Sequence, residues 1–393
     1  MRVEALDESP STAIAAPTTG GPPVASRDPS VDALRGLAIV LVVLGHSILD
    51  TGAVLNGAPP MVNMGPFWVP LSTALSVPLN LLYAFHMPLF AFISGLVLWQ
   101  PSKSSLGVQI KGRVRGLLVP YLAWFLVLYA IDWTPHPPGG VSSALLGALL
   151  GRDGLWYLYA LFVCTVVVLC LVHTRAARWM LPASALAAIA WATGRMIAVP
   201  DLFYFSSVLW IYPFVVLGYL AAPFRARMLA QRWRVVVVSM AVFVPLFYLR
   251  YPEQVPRLET INRLSMTARA AWVPGSGLLF QCAVALLPYL CGLAAIAAIC
   301  ALYLSRAGWL IGAQAWLGRK SLGIYATQGV VAWWFASHGM KNAVVLTVVT
   351  LGICAIVTVM LERTPVVSYV LLGRRTQAVS RDTSRSESLL GTQ

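Results

Sequence analysis

Apolar positions gather into ten runs of about 18 residues or more, near 31–50, 75–99, 114–132, 155–172, 179–199, 203–222, 233–250, 277–304, 320–336 and 342–361. Each run approaches the roughly 20 residues that a helix needs to cross the ~30 Å hydrocarbon core of a bilayer. A shorter run, VSSALLGALL at 141–150, cannot span and is predicted to lie at the interface or to re-enter. The pattern predicts an all-α, polytopic integral membrane protein with about ten transmembrane helices.

Composition agrees. Of the 393 residues, 59% are hydrophobic and only 11% are charged, and the mean hydropathy is +0.76. Soluble domains carry roughly 25% charged residues. The ends differ in kind from the middle. Residues 1–29 are rich in Pro, Ser, Thr and Ala and lack the apolar core of a signal peptide, and residues 373–393 are polar and Arg/Ser-rich. Both read as disordered cytoplasmic tails flanking a membrane domain over 30–372. The long connection near 251–276 mixes charges with prolines and is predicted to be an ordered outer loop with one short helix.

Basic residues near span ends are retained in the cytoplasm, which makes them an orientation signal. With the N-terminus inside, seven of the 28 lysines and arginines (Arg152, Arg195, Arg250, Arg257, Arg263, Arg269 and Lys341) fall outside and 21 fall inside. Both termini are therefore expected in the cytoplasm, in a multi-pass protein of the cell membrane. The net charge of +14 then faces membrane lipid. No basic region carries the interleaved aromatics that would suit bases, so nucleic acid is not an expected partner. The six cysteines (Cys164, Cys170, Cys282, Cys291, Cys300 and Cys354) lie inside apolar runs without paired spacing and read as small core residues. The histidines, His46, His86, His136, His173 and His338, show no ligand spacing, and no metal is expected.

Polar residues inside spans are costly, and they carry the chemistry here. In DALRGLAIVLVVLGHS, residues 32–47, Arg35 and His46 are eleven apart. At 100° per residue they share a face to within about 20° and stand about 16 Å apart along the axis. Asp32, three residues before Arg35, is within reach of its guanidinium. The second run places His86 near its middle and Pro88 two residues later, where a proline frees carbonyls and is expected to kink the helix. Arg35 also suits a snorkelling anchor, and His86 also suits a hydrogen bond that holds a kink.

These residues carry a resemblance. The spacing of Arg35 and His46, the segments FHMPLFAFISG (85–95), KGRVRGLLVPYLAW (111–124), LWYLYALF (155–162), LGRKSLGIYATQ (317–328) and LERTP (361–365), and their order together resemble the membrane acyltransferase-3 family, in its fucose-acetylase-like branch. The resemblance covers about residues 28–370. It implies transfer of an acyl group, often acetyl, from cytoplasmic acyl-CoA to a hydroxyl on an envelope sugar, a glycolipid or a small-molecule acceptor. The family often carries a histidine where this chain has Gln328, which hydrogen-bonds but cannot titrate.

The residue chemistry allows roles for that reaction. His46 is the first candidate base, because imidazole titrates near neutral pH, and His86 is the second acid/base or an acceptor-orienting group. Arg35 stays protonated and can hold a phosphate or polarise a thioester. Lys111, Arg113 and Arg115, at the mouth of the third span, suit the phosphates of CoA or anionic lipid. Trp156 and Tyr157 suit an aromatic belt or sugar stacking, and Asp32 an acceptor contact. Glu362 reads as a structural ion pair. A transporter or flippase, or an acyltransferase for an intracellular molecule such as a macrolide-type natural product, would also use buried ionisable groups.

Overall fold

The computed structural model describes residues 28–55, 61–63, 68–70, 77–99, 104–131, 140–149, 155–196, 202–250, 278–303 and 309–374. Helix α1 (Pro29–Leu55) leads into a short antiparallel hairpin, β1 (Met61–Asn63) and β2 (Trp68–Pro70), in register Met61 to Pro70, Val62 to Val69 and Asn63 to Trp68. Then come α2 (Val77–Tyr83), α3 (His86–Leu98), α4 (Leu106–Arg113), a π-helical turn (Val114–Leu118), α5 (Val119–Ala130) and α6 (Gly140–Leu149). The central part is α7 (Trp156–His173), α8 (Met180–Met196), α9 (Phe205–Ala221), α10 (Arg225–Ala230) and α11 (Arg232–Arg250). Helices α12 (Leu278–Tyr303), α13 (Trp309–Arg319), α14 (Ser321–Ser337), α15 (Ala343–Arg363) and α16 (Pro365–Leu372) complete the chain.

The fold is all-α apart from the hairpin, whose valines and tryptophan favour extended backbone and whose flanking prolines oppose helix. All ten apolar runs coincide with helices. Among the described residues eight helical segments are long and apolar enough to cross a membrane. The two others, α8 and α14, have 17 residues each. The short run at 141–150 is α6, held by the Tyr121 hydroxyl donating to the Ala148 carbonyl at 2.6 Å. The expected tails fall, apart from their innermost residues, outside the described residues, as does the expected loop at 251–276. Helices α4, α10, α13 and α16 were announced by no apolar run.

Helix α1 is the axis of the bundle, packed against α3, α13, α14 and α15. Its buried face carries Leu34, Ile39 and Val43, which meet Leu89 and Ile93 of α3 and Ile324 of α14 in one core. Lipid tails are as apolar as these side chains, so helix association relies on close van der Waals contact and small residues. Two reciprocal glycine contacts supply it. A Cβ on Gly36 would stand 1.9 Å from the carbonyl oxygen of Gln314, and one on Gly318 would stand 1.8 Å from that of Asp32. The same arrangement joins α3 to α9, where a Cβ on Gly95 would meet the Val215 carbonyl at 2.0 Å and one on Gly218 the Phe92 carbonyl at 2.0 Å. Apolar side chains such as Leu186, Val237, Val348 and Met360 are more than half exposed. On spans they face lipid, whereas on a soluble domain they would be a liability.

Polar groups inside the bundle are largely satisfied by local bonds. Ser94 donates to the Phe90 carbonyl (2.9 Å), Ser184 to Met180 (2.8 Å), Thr347 to Ala343 (2.7 Å) and Thr358 to Cys354 (2.7 Å), each one helical turn back. The second apolar run breaks at Ala84–Phe85, upstream of the kink expected at Pro88. Pro88 instead occupies the first turn of α3, where a missing amide leaves no bond unmade. The break is held by His86, whose Nδ1 lies 2.7 Å from the Leu82 carbonyl.

One end of the bundle is laced by ion pairs. Lys320 and Arg374 both pair with Glu362, Arg374 at 2.6 Å, so Glu362 ties α14 to α15 and to the chain after α16. Gly373 closes α16 with φ 63°, its amide bonded to Tyr369 at 3.1 Å and that of Arg374 to Ser368 at 3.2 Å. At the start of α1, Asp28 pairs with Arg225 and accepts from Ser30. Burial pushes the Asp28 carboxyl up, but the bonds from Arg225 and Ser30 outweigh it and hold its pKa at about 2.

Two predictions follow from this packing. Gly36→Ala and Gly318→Ala each lower the thermal midpoint of the purified protein or abolish folded yield, by about 1–3 kcal/mol or more, while Gly107→Ala and Gly352→Ala, with open space at the Cβ, do not. A wild-type melt for Gly36→Ala would contradict the close approach. A carboxyl depressed by folding stabilises above its unfolded pKa and loses that stabilisation as pH falls toward its folded one. Asp28→Asn should therefore cost roughly 1 kcal/mol at neutral pH, and in melts recorded across pH its deficit should shrink steadily below about pH 4.

Candidate active site

At the end of the bundle that carries Asp32, Arg113 and Ser321, six segments line a cavity of about 210 Å³. Arg35 enters it from α1, Arg113 from α4 and Leu117 from the π turn. Helix α3 contributes Met87, Phe90, Ser94 and Val97, a stripe at three- and four-residue spacing that runs one side of the helix. Helix α7 contributes Tyr157, Leu158, Leu161 and Thr165, and α14 contributes Ser321, Leu322 and Tyr325. The π turn is informative, since such turns are frequent where a helix is re-aimed at a functional site.

Two guanidinium groups facing one cavity repel each other and favour an anion between them. Asp32, 2% exposed, answers one of them, with its Oδ1 3.3 Å from Arg35. Among the described residues no carboxylate pairs with Arg113. The remaining walls are apolar or aromatic. The Tyr157 ring lies 6.0 Å from Phe90 and 6.0 Å, edge-on, from Tyr325, and its buried hydroxyl sits near Ser94. A cavity this small is below the ~300–1,000 Å³ of sites that enclose a whole drug-sized ligand. It can take the narrow part of a larger molecule whose charged part stays at the arginines.

A second polar group lies farther along α1. His46, partly buried, faces His86, which is 3% exposed and packs edge-on against Tyr83 at 4.7 Å. The Leu82 carbonyl can only accept, so His86 Nδ1 carries a proton, and in the neutral ring Nε2 is the nitrogen with the lone pair. Asp50, one turn beyond His46, approaches Tyr83. Neither histidine lines the cavity, but Met87, the neighbour of His86, forms its deep end. About 16 Å of helix separates Arg35 from His46, so the two cannot act on one bond.

The structure thus brings together Arg35, Arg113, Tyr157 and, through Arg35, Asp32, and separately brings together His46 and His86. Lys111 is exposed and, like Arg115, outside the cavity lining, and the Arg115 main-chain carbonyl abuts Gly373 at the α16 cap. Trp156 packs against Trp210 at 6.3 Å instead of facing the cavity. Gln328 is buried one turn beyond Tyr325. Tyr325, Ser321, Asp50 and Asn80 are polar residues that the sequence reading passed over. For Asp50 the available signal was its four-residue spacing from His46. Among the described residues no cluster of three metal-ligating side chains occurs.

Residues 28–361 match the acyltransferase domain that defines the acyltransferase-3 family. The chain is 29% identical over 228 residues to nodulation protein NolL of Mesorhizobium japonicum, covering 56% of each chain. It is 31% identical over 201 residues to nodulation protein NolL of Sinorhizobium fredii, covering 50% of this chain and 49% of that one. The match spans about half the length of these relatives. No solved structure matches significantly. With the family match extending over most of the helical bundle, the chain belongs to the acyltransferase-3 family and is a multi-pass membrane protein.

Proposed function

We propose that the protein moves an acyl group, acetyl foremost, from cytoplasmic acyl-CoA to a hydroxyl of a cell-envelope sugar or glycolipid. The observation that carries this reading is the pairing of a two-arginine cavity with a two-histidine cluster about 16 Å farther along the same helix. A donor with an anionic head and a long narrow arm ending in a thioester fits that separation. The basic end of the bundle, which holds most of the lysines and arginines, is then the cytoplasmic side. The start of α1 and the end of α16 lie at that end, so on this reading both termini are cytoplasmic.

In this mechanism Arg35 and Arg113 hold donor phosphates at the mouth, and Lys111 and Arg115 add to the attracting field. The arm runs past Tyr157, Ser94 and Tyr325 and brings its carbonyl to the histidines. His46 takes the proton of the acceptor hydroxyl while that oxygen attacks the carbonyl carbon. The new C–O bond forms, the C–S bond breaks, and the departing thiolate takes the proton back from His46. Ester and free CoA thiol are released with the imidazole neutral again. His86, its ring fixed by the Leu82 carbonyl, aims Nε2 at the acceptor. Arg35 is confined to holding the donor, because it lies too far from His46 to polarise the same carbonyl.

Thiol release from acetyl-CoA and longer acyl-CoAs, by protein in lipid with and without glycan acceptors, tests the reading. His46→Ala should lower kcat by about 10²–10⁴ with folded yield unchanged, and Arg113→Gln should raise the KM for acyl-CoA at least tenfold, about 1.4 kcal/mol. Absence of CoA binding and release with every donor would reject it in favour of transport without chemistry.

A further inference from the structure

Beyond the histidines, the outer part of α1 meets α2 at a set of polar groups that the mechanism does not use. Asn80 is 0% exposed, and neither its Oδ1 nor its Nδ2 has a hydrogen-bond partner. Asp50 likewise keeps a buried Oδ2 without a partner. A buried amide left unsatisfied at both ends costs several kcal/mol in a bilayer, so such a side chain calls for a ligand or ordered water.

The helical geometry puts these groups on one site. Tyr83 faces α1, its ring 3.4 Å from where a Cβ on Gly45 would stand, and it also approaches Asp50. Asn80 lies one turn before Tyr83 on the same face of α2. Asp50 lies one turn after His46 on α1, and His86 stacks edge-on against Tyr83. Glycine at position 45 lets the Tyr83 ring pack close against α1 at this level.

We propose that Asp50, Asn80 and Tyr83 form a subsite for a polyhydroxylated ligand, a sugar, whose reacting hydroxyl points to His46 and His86. The assignment of that hydroxyl rests on the acyl-transfer reading above. The chemistry matches a sugar group by group. Adjacent hydroxyls present donors and acceptors in pairs, which the Asn80 amide answers with one of each and the Asp50 carboxyl with acceptors. The Tyr83 ring offers an apolar face for ring C–H groups.

The test uses the full chain in lipid nanodiscs, with methyl glycosides of glucose, mannose, fucose and N-acetylglucosamine as probes. Binding is read by saturation-transfer NMR and the acceptor KM by CoA release. Asp50→Asn and Asn80→Leu should each weaken binding of the preferred glycoside and raise its KM at least tenfold, while the KM for acyl-CoA moves less than twofold. Asn80→Leu should melt no lower than wild type, because it removes polar atoms that have no protein partner. Asn80→Asp, of unchanged size, keeps the test open if the leucine variant fails to fold. Glycoside binding that is unaffected by Asp50→Asn and Asn80→Asp, or no binding of any glycoside to wild type, would overturn the proposal and leave the amide to water. Glycoside binding lost in the variants, together with no CoA release by wild type, would support the subsite and defeat the acyl-CoA reading.

Discussion

Backbone rests on backbone where α1 crosses α13, and this contact sets the rest of the molecule. Gly36 leaves space for the Gln314 carbonyl and Gly318 for the Asp32 carbonyl, so α1 can neither slide nor rotate without a main-chain clash. Fixing the rotation of one helix at that point fixes every side chain along it at 100° per residue. Arg35 is thereby turned into the cavity, and His46 and Asp50 are turned toward α2 and α3. In a bilayer, where apolar burial gives no preference for one packing over another, such steric locks replace the hydrophobic core as the source of a defined structure.

The helices themselves were legible because crossing a membrane imposes a length and a composition that nothing else does. Where that constraint lapses the sequence reading weakens. Helix α13 has 11 residues with Gln314, Arg319 and glycines among them, too short and too polar to register as a span, yet it is the partner of α1. The break before His86 was placed at Pro88 because proline is the visible breaker. The chain instead turns at Ala84–Phe85, three to four residues earlier, and uses proline in the first turn, where its lack of an amide is harmless.

The site was legible in part for a related reason. Arg35, His46 and His86 stand out because ionisable groups are rare in spans. Neighbouring candidates could not be ranked. Arg113 and Arg115 are two residues and about 200° apart, and Trp156 and Tyr157 one residue and about 100° apart. In helices that are apolar all round, no amphipathic stripe says which of two neighbours faces inward. The π turn at 114–118 shifts the facing of the third span further. Asp50 and Asn80 escaped notice because each sits near the end of an apolar run, where polar residues are ordinary.

The proposed mechanism separates two tasks along one helix, with anion holding at the arginine end and proton handling about 16 Å away. On that proposal the cavity between them takes the arm of the donor. Photoaffinity mapping is the most direct test, with a short acyl-CoA carrying a diazirine at the acyl terminus, illuminated in lipid and mapped by mass spectrometry with excess CoA as competitor. The account predicts CoA-competed labelling on α3 around His86 and Met87 and on α1 around His46. Labelling confined to the surface around Lys111 and Arg319, or labelling that CoA does not displace, would contradict it.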